Sequence, residues 1–365
     1  MENKVTNHRQ SNIELLRIIS ILLIISFHYV YKSGAIYKTF TFNVFIIKVF
    51  NFFGELGVNL FMLITGYFMI NGKFKIKKLI LILSEVLFYF LLTTLIGIHI
   101  GAISKPITIR SKILIFFPTI TSRYWFITAY VLIYILSPYL NIFINAMSKK
   151  EYKKFLVTIV ILWCIIPTIF GTLCNSTESI LYYSRFIWLI VIYFIGAYIK
   201  LYNFNILKTN KEKLLCAVIS FLIMILSLFV MYRFSYGPGI NEPPFFWTPN
   251  NIFMALLSIS IFELFLNIKM KNNRIINTIS STTLGIYLIH DGILCNYIWE
   301  NIFKAKEHLV GNYPIENILL ATFMVFIFGV VVDLLRQTIE KYVLKKIIDY
   351  SFKRVMTLQT SRNNQ

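Results

Sequence analysis
This chain is short of charge and shorter still of acid. Only 14% of its 365 residues are Asp, Glu, Lys or Arg, and 16 are acidic against 36 basic. A soluble domain of that length needs a far more polar surface, so a water-facing globule is excluded. Cysteine is scarce as well. Cys164, Cys174, Cys216 and Cys295 form no CxxC pair and no metal-ligand spacing with histidine. They read as small apolar packing residues, and no metal is expected. No internal repeat is evident, and no soluble domain stands at either end. A net charge of +20 would suggest nucleic acid in a soluble chain. Here the basic residues are spread over short loops between apolar runs, and no nucleic-acid partner is expected.

What is present is apolar: 57% hydrophobic and 17% aromatic residues, with a mean hydropathy of +0.70. The expectation is an all-α, polytopic integral membrane protein with about ten transmembrane helices. Each run is near the ~20 residues that a bilayer core demands. The spans fall at 13–33, 55–71, 77–101, 124–146, 154–173, 185–201, 214–232, 250–268, 278–299 and 316–336. The apolar run from Ile13 to Tyr31 is too long for a signal-peptide core, and no small-residue cleavage site follows it. The segment from Phe40 to Phe53, carrying Lys48 and Asn51, reads as an interfacial helix rather than a further span. Residues 1–12 and 341–365 are read as cytoplasmic ends of a transmembrane domain at 13–340.

Orientation follows from the basic residues. One set of flanks, including Lys4, Lys73 to Lys78, Lys149 to Lys154, Lys200 to Lys213 and Arg336 to Arg362, holds 24 of them. The alternate flanks hold 11, and Arg17 lies within the first span. Both termini are therefore expected to be cytoplasmic. The loop from Tyr236 to Pro249, rich in Pro, Gly and aromatics, reads either as an interfacial anchor or as a lid over an outward-facing site.

Ionisable groups within apolar spans are costly and usually face a cavity or a partner. Arg17 and His28 are eleven residues apart, about 16 Å along a helix axis and within about 20° of one face. Glu14 shares that face, one turn before Arg17, and can pair with it. From spacing alone, lipid snorkelling by Arg17 and an interfacial His28 remain open. His290 beside Asp291 falls near the middle of the ninth span, as a cavity-lining pair or a structural one. Tyr124 and Trp125 read as a sugar-stacking surface or an aromatic belt, and Arg185 as a phosphate or sugar contact or a snorkelling cation. Interfacial placement suffices for His99. Glu85, Glu263 and Asp333 are buried candidates without a named partner.

Five stretches carry a resemblance. They are Asn12 to Arg17 with Ser26-Phe27-His28, Phe53 to Tyr67, Arg123 to Tyr130 followed by Leu136-Ser137-Pro138, Tyr193 to Tyr198, and Leu284 to His290. In that order they resemble the membrane-bound acyltransferase-3 family. The first matches its Arg-x10-His signature, and the closest flavour is the bacterial branch that O-acylates cell-surface polysaccharides. The resemblance implies an enzyme of the cytoplasmic membrane moving an acyl group, usually acetyl, from cytoplasmic acyl-CoA to a sugar hydroxyl at the outer face. It implies acetyl-CoA as donor and a glycan or lipid-linked sugar as acceptor. Arg17 would serve the acyl-CoA side, and His28 would be the general base. Tentative substrate contacts are Glu14, Asn59, Thr65, Lys77, Lys78, Tyr124, Trp125, Arg185, Tyr287 and His290. The chain departs from the family at Lys73 to Lys78, where arginines are usual, at Thr65 for serine, and at Asn59 for an acidic residue. A different class, a transporter, flippase or polymerase for lipid-linked glycans, would be served equally by ten helices but should show broken helices or a repeat. A sensory or scaffold role is disfavoured, since no soluble output domain is present.

Overall fold
The computed structural model describes residues 9–103, 108, 116–119, 124–174, 184–234, 246 and 248–342, with the backbone alone at 171–174 and 234. Among these the architecture is all-helical, 79% helix with no strand. Eight helices are long and apolar enough to cross a membrane. In lipid each backbone N–H and C=O must bond within its own segment, which an apolar helix achieves without a partner.

Helix α1 (Ser11–Tyr31) ends where Gly34 turns the chain at φ +64°, a conformation that favours glycine. Helix α2 (Phe42–Val49) runs into α3 (Asn51–Met69) through Phe50, itself helical, giving 28 continuous residues. The expected helix of this segment is thus present as α2 and adds no further span, but it adjoins α3 without a loop. Lys48 is buried there, its ammonium over the rings of Tyr37 and Tyr232, so this segment packs into the protein. Helices α4 (Ile76–His99) and α5 (Trp125–Asn145) follow. Next, α6 (Lys149–Val160) opens on a capping box between Ser148 and Glu151. A π turn at Ile161–Ile165 joins it to α7 (Ile166–Cys174). The backbone that the π turn disturbs finds new partners, with Asn250 donating to the Trp163 carbonyl at 3.1 Å and Thr168 to the Cys164 carbonyl at 2.7 Å.

Helices α8 (Arg185–Tyr202) and α9 (Asn210–Phe234) are spans by length and composition. Two of the ten expected spans differ. The one at 250–268 is α10 (Ile252–Asn267), only 16 residues long. The one at 278–299 is broken into α11 (Arg274–Ser280), α12 (Thr283–His290) and α13 (Cys295–Tyr297), the last running into a π turn at Ile298–Ile302. Broken helices are therefore present, against the reading of uninterrupted spans. Helix α14 (Ala305–Val310) leads to α15 (Pro314–Tyr342), which extends past the expected end at 336. Most of the Tyr236–Pro249 loop, Arg123, the Cys174 side chain and the tail beyond Tyr342 lie outside the described residues.

Helix α1 is central. It packs on α3, α10, α11, α12 and α15. Glycines set the closest approaches, as bilayer helices require. Gly54 and Gly57 of α3 receive Phe27 and Ile24 of α1, while Gly66 of α3 and Gly196 of α8 each meet the other helix's backbone. Buried charges are paired. Arg336 bonds Asp333 at 2.7 Å and Glu340, and pairs by charge with Glu85 at 3.1 Å; Tyr89 donates to Asp333 at 2.7 Å. Lys213 lies 3.7 Å from Glu263, which also accepts the Ile206 N–H at 2.8 Å. Glu85, Glu263 and Asp333 thus have partners.

The crossing of α3 and α8 yields a prediction. A Cβ at Gly66 would enter the Tyr193 backbone, so Gly66→Val should lower stability by about 2 kcal/mol. Gly72→Ala, whose Cβ would meet nothing closer than 3.4 Å, should be near neutral. Thermal unfolding of the detergent-purified protein, followed by tryptophan fluorescence, compares the two.

Candidate functional site
Three polar groups lie along the helices that surround α1. The first is built where α12 stops. His290 is its last residue, and Asp291 caps it, donating its N–H to the Tyr287 carbonyl at 3.0 Å. His290 Nδ1 lies 2.6 Å from the Ile286 carbonyl. A carbonyl only accepts, so Nδ1 carries the hydrogen. With both rings neutral, His290 Nε2 is then an acceptor, and His28 Nδ1, 3.0 Å away, donates to it. This leaves the lone pair of His28 on Nε2, which lies 3.7 Å from Asp291 Oδ1, too far for a hydrogen bond. The order of bonds fixes the tautomer: carbonyl, His290, His28, free lone pair.

Aromatic rings wall this pair. Tyr287 lies 6.5 Å from His28 and 6.0 Å from His290, centroid to centroid. Trp299 stands edge-on to Tyr29 at 5.6 Å and to His290 at 6.2 Å. The Tyr124 hydroxyl donates to the Leu288 carbonyl at 3.1 Å, bracing the last turn of α12. The Tyr287 hydroxyl is buried beside Asp291 without a geometrically sound hydrogen bond, and Cys295 Sγ is 3.9 Å from Asp291 Oδ1. A neutral base, a carboxylate and an unengaged hydroxyl in an aromatic wall can accept a proton from an alcohol and stabilise the imidazolium that results.

The second group is at the other end of α1. Arg17 Nη1 bonds both oxygens of Glu14, at 3.2 and 3.1 Å, and Ser280 donates to Glu14 Oε2 at 2.5 Å. Glu14 is thereby occupied, while the Arg17 side chain stays 30% exposed. Its guanidinium lies over Phe68 at 5.8 Å. Lys78 lies over the Tyr134 ring at 5.1 Å, and Lys77 is half-buried beside it on the first turn of α4. A guanidinium and two lysines near one helix end suit a phosphate-bearing ligand.

The third group joins Trp125, Arg185 and Glu55. Arg185 pairs with Glu55 at 3.0 Å and lies over the Trp125 ring at 4.8 Å. Asn59 and Thr65 join none of the three. Asn59 is fully buried, donating to the Pro249 carbonyl and Ser258 and accepting from Trp188 at 2.9 Å. Thr65 bonds back to the Phe61 carbonyl at 2.7 Å. Of the expected residues, then, the structure brings together His28, His290, Tyr287 and Tyr124, separately Glu14, Arg17 and Lys78, with Lys77 next to Lys78 on α4, and separately again Trp125 and Arg185. Sequence reasoning missed Glu55, Ser280 and Cys295, and it noted Asp291 only as a neighbour. Glu55 had a usable signal, a carboxylate inside an apolar run; Ser280 and Cys295 had none.

No curated protein and no solved structure matches the chain. A family model does: residues 10–336 match the acyltransferase-3 family, described as an acyltransferase domain. The match runs from the start of α1 to Arg336 in α15 and takes in all three polar groups. The chain belongs to the acyltransferase-3 family of membrane proteins.

Proposed function
We propose that this membrane protein is an O-acyltransferase. It would move an acyl group, acetyl in the simplest case, from acyl-CoA to a hydroxyl of a cell-surface or exported polysaccharide. The observation that carries the reading is the 3.0 Å contact of His28 Nδ1 with His290 Nε2, which, with both rings neutral, leaves the lone pair of His28 on Nε2. In the reaction the acceptor oxygen attacks the thioester carbonyl while His28 Nε2 takes its proton. The carbon–sulfur bond then breaks, and the imidazolium returns that proton to the departing CoA thiolate. Asp291, 3.7 Å from Nε2, shares the transient positive charge. His290 is a positioning residue, since it touches His28 and no reacting atom.

Arg17 suits the phosphates of CoA. Its distance from His28, about 16 Å along the helix, is one that an extended pantetheine arm covers, so one donor can be held at both ends of α1. The bias of lysines and arginines supports a cytoplasmic Arg17 end, both termini inside, and a bacterial cytoplasmic membrane as the setting. The second reading, a carrier of lipid-linked glycans, draws on the broken stretch from α11 to α13. Binding of acyl-CoA separates the two, because a carrier has no use for it.

Purified protein or membranes supplied with radiolabelled acetyl-CoA should label a glycan acceptor. His28→Ala should lower transfer by about 10²–10⁴-fold; full activity in that variant would sink the mechanism. His290→Leu should lower kcat without changing the KM for acetyl-CoA, and His290→Gln, whose amide oxygen can accept the same bond, should recover part of it. Arg17→Gln should raise the KM for acetyl-CoA by about 10-fold, read in the same assay. NMR of surface glycan from a deletion strain should show a lost O-acyl group. A reporter fused after Gln365 should read cytoplasmic, and one placed at Gly101 external.

A further inference from the structure
A buried carboxylate needs partners for both oxygens, and Glu55 has them for one. Its side chain is 3% exposed; Oε1 takes Arg185 at 3.0 Å, while Oε2 has no hydrogen-bond partner. An ionised carboxylate offers about four lone-pair sites, and buried polar atoms are almost always bonded. The helix pair does not need this bridge to hold together. Gly66 and Gly196 already bring α3 and α8 into backbone contact, and the Trp188 to Asn59 bond ties them again one turn from Glu55. Glu85 and Glu263 also leave an oxygen unbonded, but their cations Arg336 and Lys213 are sealed. Arg185 is open to solvent, so the Glu55 pair is the one a ligand can reach.

Its placement points to a ligand of the same reaction. Trp125 and Arg185 are the first residues of α5 and α8, and Glu55 is on the second turn of α3. All three lie at the His28 end of α1. Gly54, next to Glu55, packs on the ring of Phe27, next to His28. The rings of Trp125, Phe126, Tyr287 and His28 follow one another at 5.9, 6.2 and 6.5 Å. Glu55 and His28 thus each adjoin one residue of the same α1–α3 contact, and packed helix axes lie about 8–10 Å apart. Adjoining residues of a glycan span that distance.

We infer that Glu55, Arg185 and Trp125 form a subsite for a neutral sugar residue of the acceptor, beside the residue that is acylated. Glu55 Oε2 accepts a ring hydroxyl, and Arg185, 40% exposed, donates to a neighbouring hydroxyl oxygen. Trp125, half-buried, supplies a flat wall for the C–H face of the ring. The carboxylate and guanidinium cancel, so the subsite has no net charge to draw an anionic sugar, and Oε2 would repel one. This rests on the acyl-acceptor reading above, but its binding step is testable without transfer.

The probe is a set of neutral oligosaccharides released from the producing organism's own surface polysaccharide and de-O-acylated with mild base. Their binding to the full-length protein in detergent is followed by saturation-transfer NMR, beside acetyl-CoA binding and acetyl transfer. Glu55→Gln and Trp125→Leu should each weaken oligosaccharide binding by about 10-fold or more, with acetyl-CoA affinity unchanged as the sign of an intact fold. Trp125→Leu keeps the Glu55–Arg185 pair and stands in if Glu55→Gln does not fold. Equal binding by wild type and variants, or no binding to wild type, overturns the subsite. Binding lost in the variants while wild type transfers no acetyl would keep the subsite and overturn the acyltransferase reading instead.

Discussion

The hydrogen bond between His28 and His290 joins residues 262 positions apart, where α1 packs on α12. The His290 ring occupies the Ile286 carbonyl, Tyr124 braces Leu288, and Asp291 caps the turn. Two of these contacts lie within α12 and its cap, and the Tyr124 bond comes from a distant part of the chain. Together they fix the rotation of one imidazole, which in turn fixes the other.

Around this bond the fold obeys a single rule of lipid-embedded chains, that charge and polarity must be answered by the protein itself. Arg336 answers three carboxylates from α4 and α15, and Lys213 answers Glu263 between α9 and α10. Asn59 answers a loop carbonyl, a serine and an indole. Glu85 and Glu263 each keep an oxygen without a hydrogen bond, but their cations are sealed inside the protein, which is why these sites read as structure. The three groups set apart as functional each retain something unanswered: the lone pair of His28, the exposed guanidinium of Arg17, and the second oxygen of Glu55.

Much of this was legible in the sequence, for physical reasons that can be named. The stripe of Glu14, Arg17 and His28 follows from helical periodicity alone, and the pairing of Glu14 with Arg17 came with it. The eight long helices are visible because bilayer thickness sets a length that hydropathy can detect. The broken span was not legible. Ser280, Ser281, Thr282 and Thr283 interrupt α11 and α12 by returning their hydroxyls to local carbonyls or to Glu14, an effect that averaged hydropathy does not register. The joining of α2 to α3 was hidden because Lys48 looked like an interfacial charge until Tyr37 and Tyr232 supplied its surroundings. The role of Glu55 depends on Arg185, a long-range partner that no local pattern links to it.

The Ile286 carbonyl has one more consequence. A peptide oxygen can accept a hydrogen bond but cannot keep a proton at ordinary pH, so the row of imidazoles ends there in a cul-de-sac. The pair can store a proton on the His28 side but cannot conduct it away through the protein. Whatever proton enters at Nε2 must leave from Nε2, so what delivers it and what removes it have to occupy the same small space in turn. In the proposed reaction, a site built this way would exchange protons with its reactants and not with the bulk on either side of the membrane.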